Sequence, residues 1–77
     1  MKKTFKEVVA NELRALRARS NLKQKEVANI AGIDIMTVAR YENNSVSMQL
    51  DMLEKILSVY NVPLNIFFIN VSANMQK

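Results

Sequence analysis

Apolar residues recur along this chain at helical spacing. Thr4 and Glu7 have the S/T-x-x-E form of a capping box. Val9, Leu13 and Leu16 come after it, which predicts a first helix from about Phe5 to about Arg19. Ser20-Asn21 ends that helix. QKEVANIAG gives a short second helix with Val27, Ala28 and Ala31 turned inward. Gly32 fits the left-handed position after a helix end. Ile33 can pack back on the core, and Asp34 is a good N-cap for a third helix from Ile35 to about Asn43. Asn43-Asn44-Ser45 reads as a turn. Met48 or Gln49 opens a fourth helix that reaches Tyr60, with Leu50, Leu53, Ile56, Leu57 and Tyr60 apolar. Asn61 stops it, and Pro63 suits the first turn of a last short helix, PLNIFF.

The pattern therefore predicts five short helices in an all-α domain. The second and third, joined by a tight turn containing Gly, suggest a helix-turn-helix. Neither can bury much alone, so both need the first and fourth helices as a platform. At about 100° per residue, Val38 and Tyr41 own the inward side of the third helix and Glu42 sits at its edge. Met36, Arg40 and Asn43 form the outward stripe, flanked by Ile35 and Thr37, and Ala39 is small enough to permit close approach. A helix of this kind fits the major groove of B-DNA, where Arg pairs with guanine and apolar side chains pack on the thymine methyl group. Packing of Ile35 and Met36 on a neighbouring helix or a partner protein is the competing reading.

At 77 residues the chain makes one domain, 1–77, with its core at about 5–69. A domain this small is marginal alone and usually needs staples or partners. Cysteine is absent, which excludes disulfides, and histidine is absent, which removes the commonest general base. There is no Gly-rich phosphate loop, and the seven carboxylates are scattered. The chain reads as a non-enzyme with no cofactor, no metal and no small-molecule substrate. The net charge of +4 hides an asymmetry: residues 1–25 hold eight basic groups against Glu7 and Glu12, a net +6, and residues 26–77 are at −2. A basic end suggests a polyanionic partner, although a merely solvated face would look the same. MKKTFK mimics the start of a signal peptide, but no apolar segment comes after it, because Asn11, Glu12 and Arg14 interrupt VVANELRALR. No apolar run approaches the roughly 18 residues of a membrane span, so no membrane partner and a cytoplasmic location are the default.

LRALRARSNLKQKEVANIAGIDIMTVARYENN, continued by LDMLEKILSVYNVPLNIFF, resembles the phage repressor and Cro type of helix-turn-helix DNA-binding domain, the lambda-repressor-like or XRE type. The resemblance runs from roughly Leu13 to Phe68. The matching residues are Arg17, Gln24, Val27-Ala28, Gly32, Val38 and Glu42-Asn43, then the fourth helix and the short last one. It implies a compact five-helix fold and a sequence-specific regulator of transcription, a repressor that binds a short palindromic operator in double-stranded DNA as a homodimer. A protein-interaction module on the same fold, an antitoxin or anti-regulator, is the alternative, and a protein regulator is a further possible partner.

The resemblance also implies roles for individual residues. Ile35, Met36 and Arg40 occupy base-reading positions. Gln24 would hold a phosphate at the N-terminus of the second helix, a place that suits anions in any protein. Lys23 and Lys25 would add salt-sensitive attraction. Thr37, Asn43, Asn44 and Ser45 would lie along the DNA backbone. Arg17 and Glu42 would form a partly buried structural ion pair. Several positions depart from the pattern. Asn44 stands where Gly is usual, Met48 where Pro is common, and Asp34 where Ser or Thr caps near phosphate. The reading helix holds one cation, Arg40, against Asp34 and Glu42.

NIFFINV is too apolar for one short helix to turn entirely into a small core. Phe67 is expected inside. Phe68, Ile69 and Val71 are surplus and predict a dimer interface, through the last helix or an extended arm. A tail that folds back on its own core is the alternative. Residues 70–77, ending VSANMQK, are expected to fray or serve as that arm.

Overall fold

The computed structural model describes residues 4–44 and 47–75. Five helices succeed one another: α1 (Phe5–Ser20), α2 (Gln24–Ala31), α3 (Ile35–Glu42), α4 (Leu50–Ser58) and α5 (Leu64–Met75). The body measures 34 × 23 × 22 Å. α1 is the platform: α3 packs on it from one side and α5 from another, while α2 lies against α3 and α4.

Local chemistry sets the helix ends. The Thr4 hydroxyl accepts from the Glu7 N–H at 3.2 Å, and the Glu7 carboxylate accepts from the Thr4 N–H at 3.2 Å, which completes the predicted capping box. Asn21 ends α1 in the left-handed region at φ 57°. The Glu26 carboxylate reaches back to the Lys23 N–H at 2.8 Å and secures the start of α2. Gly32 closes α2 at φ 70°, a conformation that costs a residue with Cβ. A Cβ there would meet open space, so the backbone angle alone asks for glycine. The Asp34 carboxylate accepts from the Met36 N–H at 3.1 Å and caps α3 as expected.

The core is a single cluster. Val8, Val9, Leu13 and Leu16 of α1 meet Val27 and Ala28 of α2, Val38 and Tyr41 of α3, Leu53, Ile56 and Leu57 of α4, and Phe67 and Val71 of α5. The predicted inward residues hold at most positions. Leu50 is an exception. It opens α4 and stays well exposed, while Met48, just before the helix, packs against the core. α4 also ends at Ser58 rather than Tyr60.

The larger correction concerns the last helix. PLNIFF is expected to be short and the residues beyond it to fray or extend, but α5 starts after Pro63 and continues for 12 residues to Met75. Two contacts explain this. Val71 lies one turn beyond Phe67 on the same side and is fully buried, so it belongs to the core and not to a free surface. The Asn74 amide donates to Glu12 Oε1 at 3.0 Å and ties the final turn to α1. Phe68 is half-buried, stacked on Phe5 with ring centroids 5.9 Å apart. Of the three residues expected at an interface, Ile69 alone stands fully outside, 61% exposed.

Val71→Ala should therefore cost about 2 kcal/mol, two buried methyl groups plus part of a cavity. Urea unfolding checks it: the midpoint should fall with no change in slope, by the same amount at low and high protein concentration. A loss that vanishes at high concentration would move Val71 back to a subunit interface.

Candidate nucleic-acid interface

α3 presents two unlike sides. Val38, Tyr41 and Glu42 are buried; Ile35 and Met36 are 41% and 51% exposed, and Arg40 is exposed with them. Thr37 and Ala39 are half-buried between the two sides. The outward stripe read from the sequence is therefore present as a surface. Lys23 and Lys25 are exposed on either side of Gln24 at the start of α2. Asn43 is exposed at the C-cap of α3, and Asn44 comes next at φ 58°, taking the left-handed turn usually given to Gly. Its side-chain Oδ1 is shut away from solvent with no donor among the described residues. Ser45 lies outside the described residues.

The expected Arg17–Glu42 pair is formed. Arg17 Nε donates to Glu42 Oε2 at 2.8 Å and to Oε1 at 3.1 Å. The Glu42 side chain is 4% exposed and the Arg17 side chain 26%. Arg17 Nη1 also donates to the Leu22 carbonyl at 3.1 Å, so one guanidinium joins α1, the α1–α2 turn and α3. Its hydrogen bond to Glu42 raises the Arg17 pKa above the ordinary value; burial opposes the shift, and the Glu42 charge adds to it.

Gln24 has a partner the sequence does not suggest. Its Nε2 donates to Glu42 Oε1 at 3.1 Å. The Glu42 carboxylate thus gathers α1, α2 and the end of α3 at one point. One N–H of the half-buried Gln24 amide is thus engaged with Glu42, beside the main-chain N–H groups at the start of α2. Two further contacts lie beyond sequence reasoning. The Tyr41 hydroxyl accepts from the Gln49 N–H at 2.9 Å and seats the start of α4. Arg14 donates to the main-chain carbonyl of Glu42. Both are hydrogen bonds between elements, made by residues whose spacing carries no signal.

Among the described residues there is no group of three His, Cys, Asp or Glu side chains able to hold a metal ion, and no helix is long and apolar enough to cross a membrane.

A family model described as Helix-turn-helix matches residues 13–67, most of the chain. The chain belongs to the helix-turn-helix family. This helix-turn-helix chain is 36% identical over 55 residues to the cryptic phage CTXphi transcriptional repressor RstR of Vibrio cholerae. That stretch is 71% of this chain and 50% of the relative, so the chain spans about half the length of the curated protein it matches. Its fold is similar to the restriction-modification controller protein C.Esp1396I, crystallised as a tetramer in complex with its natural 35 base-pair operator. The TM-score is 0.88 at 20% identity, covering 99% of this chain and 100% of that one. It is also similar to the clp gene regulator ClgR of Corynebacterium glutamicum, with a TM-score of 0.86 at 14% identity over 99% of this chain and 81% of that one. At these identities the two structures establish the helix-turn-helix fold, in line with the phage repressor and Cro resemblance seen in the sequence.

The ion pair has a titratable neighbour. Burial, reinforced by the Glu42 charge and opposed by Arg17, pushes the Tyr60 hydroxyl up to about 12. That hydroxyl has no hydrogen-bond partner among the described residues. The native pKa lies above the unfolded value of about 10, so the helix-turn-helix domain keeps this contribution below pH 10 and loses it as pH rises towards 12. Tyr60→Phe should abolish that part of the alkaline loss. Unfolding free energies of the two proteins, compared between pH 9 and 12, provide the check.

Proposed function

We propose that this chain is a sequence-specific regulator of transcription, a repressor, that binds a short palindromic operator in double-stranded DNA as a homodimer, with α3 in the major groove. The observation that carries the reading is the outward face of α3, where Ile35, Met36 and Arg40 stand exposed on a helix whose other side is locked into the core. The name of the phage repressor relative supports the regulatory role, and the operator bound by the structurally similar controller protein supports DNA as the partner.

Each group has a task in this reading. Arg40 pairs with the O6 and N7 of a guanine, and Ile35 and Met36 pack on thymine methyl groups, so the half-site is thymine-rich. Thr37, Asn43, Asn44 and Ser45 run along the phosphates. Lys23, Lys25 and the main-chain N–H groups at the start of α2 supply sequence-independent, salt-sensitive attraction. Dimerisation uses the outward side of α5, where Ile69 is joined by exposed Ile66 and by the edge of Phe68. The reading assigns the chain no catalytic role and places it in the cytoplasm with the DNA it reads.

Selection of bound duplexes from a random library tests the assignment. A twofold consensus is expected. Recovery of duplexes with no shared sequence would turn the exposed apolar pair into a protein-binding surface, as in an antitoxin or anti-regulator. Arg40→Ala should weaken the selected site by roughly 1–3 kcal/mol and relax one base position. Equal weakening on every sequence would make Arg40 a phosphate contact instead. Ile69→Asp should sediment as a monomer at micromolar concentration where the parent chain sediments as a dimer.

A further inference from the structure

Arg14 and Arg17 stand one helical turn apart on α1, and both close on one residue of α3. Arg17 takes the Glu42 carboxylate at 2.8 Å. Arg14 takes the Glu42 main-chain carbonyl through Nη1, while its Nη2 donates to Asn11 Oδ1, three residues earlier on α1. One residue of α3 is thus held at its side-chain head and at its backbone by two guanidiniums on a single neighbouring helix.

The carbonyl that Arg14 holds needs an outside donor. The last four carbonyls of a helix have no partner within it, and the helix C-terminus carries partial negative charge. In α3, the Asn43 N–H satisfies the Ala39 carbonyl at 2.9 Å, and the Glu42 carbonyl is closed by Arg14. The basic residue in the last turn of α3 is Arg40, which is exposed on the outward stripe and committed there. α3 has eight residues, about two turns, and its buried Val38, Tyr41 and Glu42 hold it to its neighbours from the inward side. The carboxylate grip of Arg17 acts at the far end of the buried Glu42 side chain. The Arg14 grip acts on the backbone itself, and Asn11 holds the guanidinium in place.

We propose that Arg14 is a positioning residue for the reading helix. Braced by Asn11, it fixes the axial position and rotation of α3 through its C-terminal carbonyl, and so sets sequence discrimination without contacting the bases. This rests on α3 being the helix that reads DNA.

The test uses the full chain and its Arg14→Ala, Arg14→Lys and Asn11→Ala variants. Binding to a selected duplex and to a random duplex is measured across a salt series, and amide hydrogen exchange is followed in the free proteins. Arg14→Ala should lower the ratio of selected to random binding about tenfold, the loss of one hydrogen bond from a charged donor. The dependence of log K on log salt should stay the same, because no phosphate contact is removed. Arg14→Lys keeps the charge but not the two-pronged fork, so it should not restore the ratio. Asn11→Ala should cost about threefold through a less oriented guanidinium. Exchange should rise in Arg14→Ala at the amides of Tyr41, Glu42 and Asn43 and remain unchanged in α2. Equal losses on both duplexes, a salt slope shallower by about one and rescue by Arg14→Lys would overturn the proposal and make Arg14 a phosphate contact. Unaltered exchange in α3 would also overturn it. A parent chain that binds both duplexes equally sinks the DNA reading itself. The exchange measurement needs no DNA and then separately upholds or overturns the grip on α3.

Discussion

A carboxylate sits almost fully buried in the last turn of the helix that faces outward. Burying the Glu42 charge costs several kcal/mol unless it is paired and hydrogen-bonded. Arg17 and Gln24 meet that requirement from α1 and α2. Such a pair adds little net stability compared with apolar residues of similar size. Its geometric content is larger. Val38 would hold a two-turn helix only by nondirectional packing, which tolerates small slides and rotations, and Tyr41 adds one directional contact through its hydroxyl. A carboxylate that must meet Arg17 on one side and Gln24 on the other accepts far fewer orientations. The exposed stripe of α3 is oriented through Glu42, by this buried carboxylate together with the main-chain carbonyl that Arg14 holds.

Charge is divided in a way that results from that constraint. The inward edge of α3 holds Glu42 and its cap is Asp34, so the helix itself carries little positive charge. Strong attraction to a polyanion has to come from elsewhere, and residues 1–25 carry it with a net +6. On the proposed reading, long-range attraction and close-range discrimination sit on different elements: the lysines around the start of α2 would act on any phosphate backbone, and the side chains of α3 would respond to base edges. Asp34 illustrates the cost of combining the two. It caps α3 well through the Met36 N–H, but its negative charge disfavours a phosphate at the same helix end.

Features with a local cause are legible in the sequence. The capping box at Thr4, the left-handed Gly32, the Asp34 cap and the inward Val38 each depend on neighbours within four residues, and each is found in place. The Arg17–Glu42 pair spans 25 residues and is legible because the family resemblance brings the two together. Contacts with neither kind of signal are not: Gln24 to Glu42, Tyr41 to Gln49, and Asn74 to Glu12, the last spanning 62 residues. Val71 is misplaced by sequence reasoning for a related cause. A run such as IFFINV looks like excess apolar surface when counted residue by residue, but continuing the helix by one turn carries Val71 back to the side of Phe67. The decision between arm and helix lies in α1, where Glu12 and the core cluster receive the added turn.

That extra turn leaves α5 apolar on two sides. Phe67 and Val71 face the core, while Ile66 and Ile69 face outward. No acidic or basic residue lies anywhere in LNIFFINVSANM. A twofold contact is self-complementary, so a residue near the axis meets its own copy. A charge near that axis would face a like charge at close range, where repulsion costs most. Asn65, Asn70 and Ser72 supply polarity without that penalty. A solvated helix in a chain with eleven basic and seven acidic side chains has no comparable reason to exclude both signs. The absence of charge, together with the outward isoleucines, therefore favours a second copy of the chain as the cover for this side. Such a dimer would join two copies of α3, the reading helices of the proposed function, through the element that α1 already holds firmly.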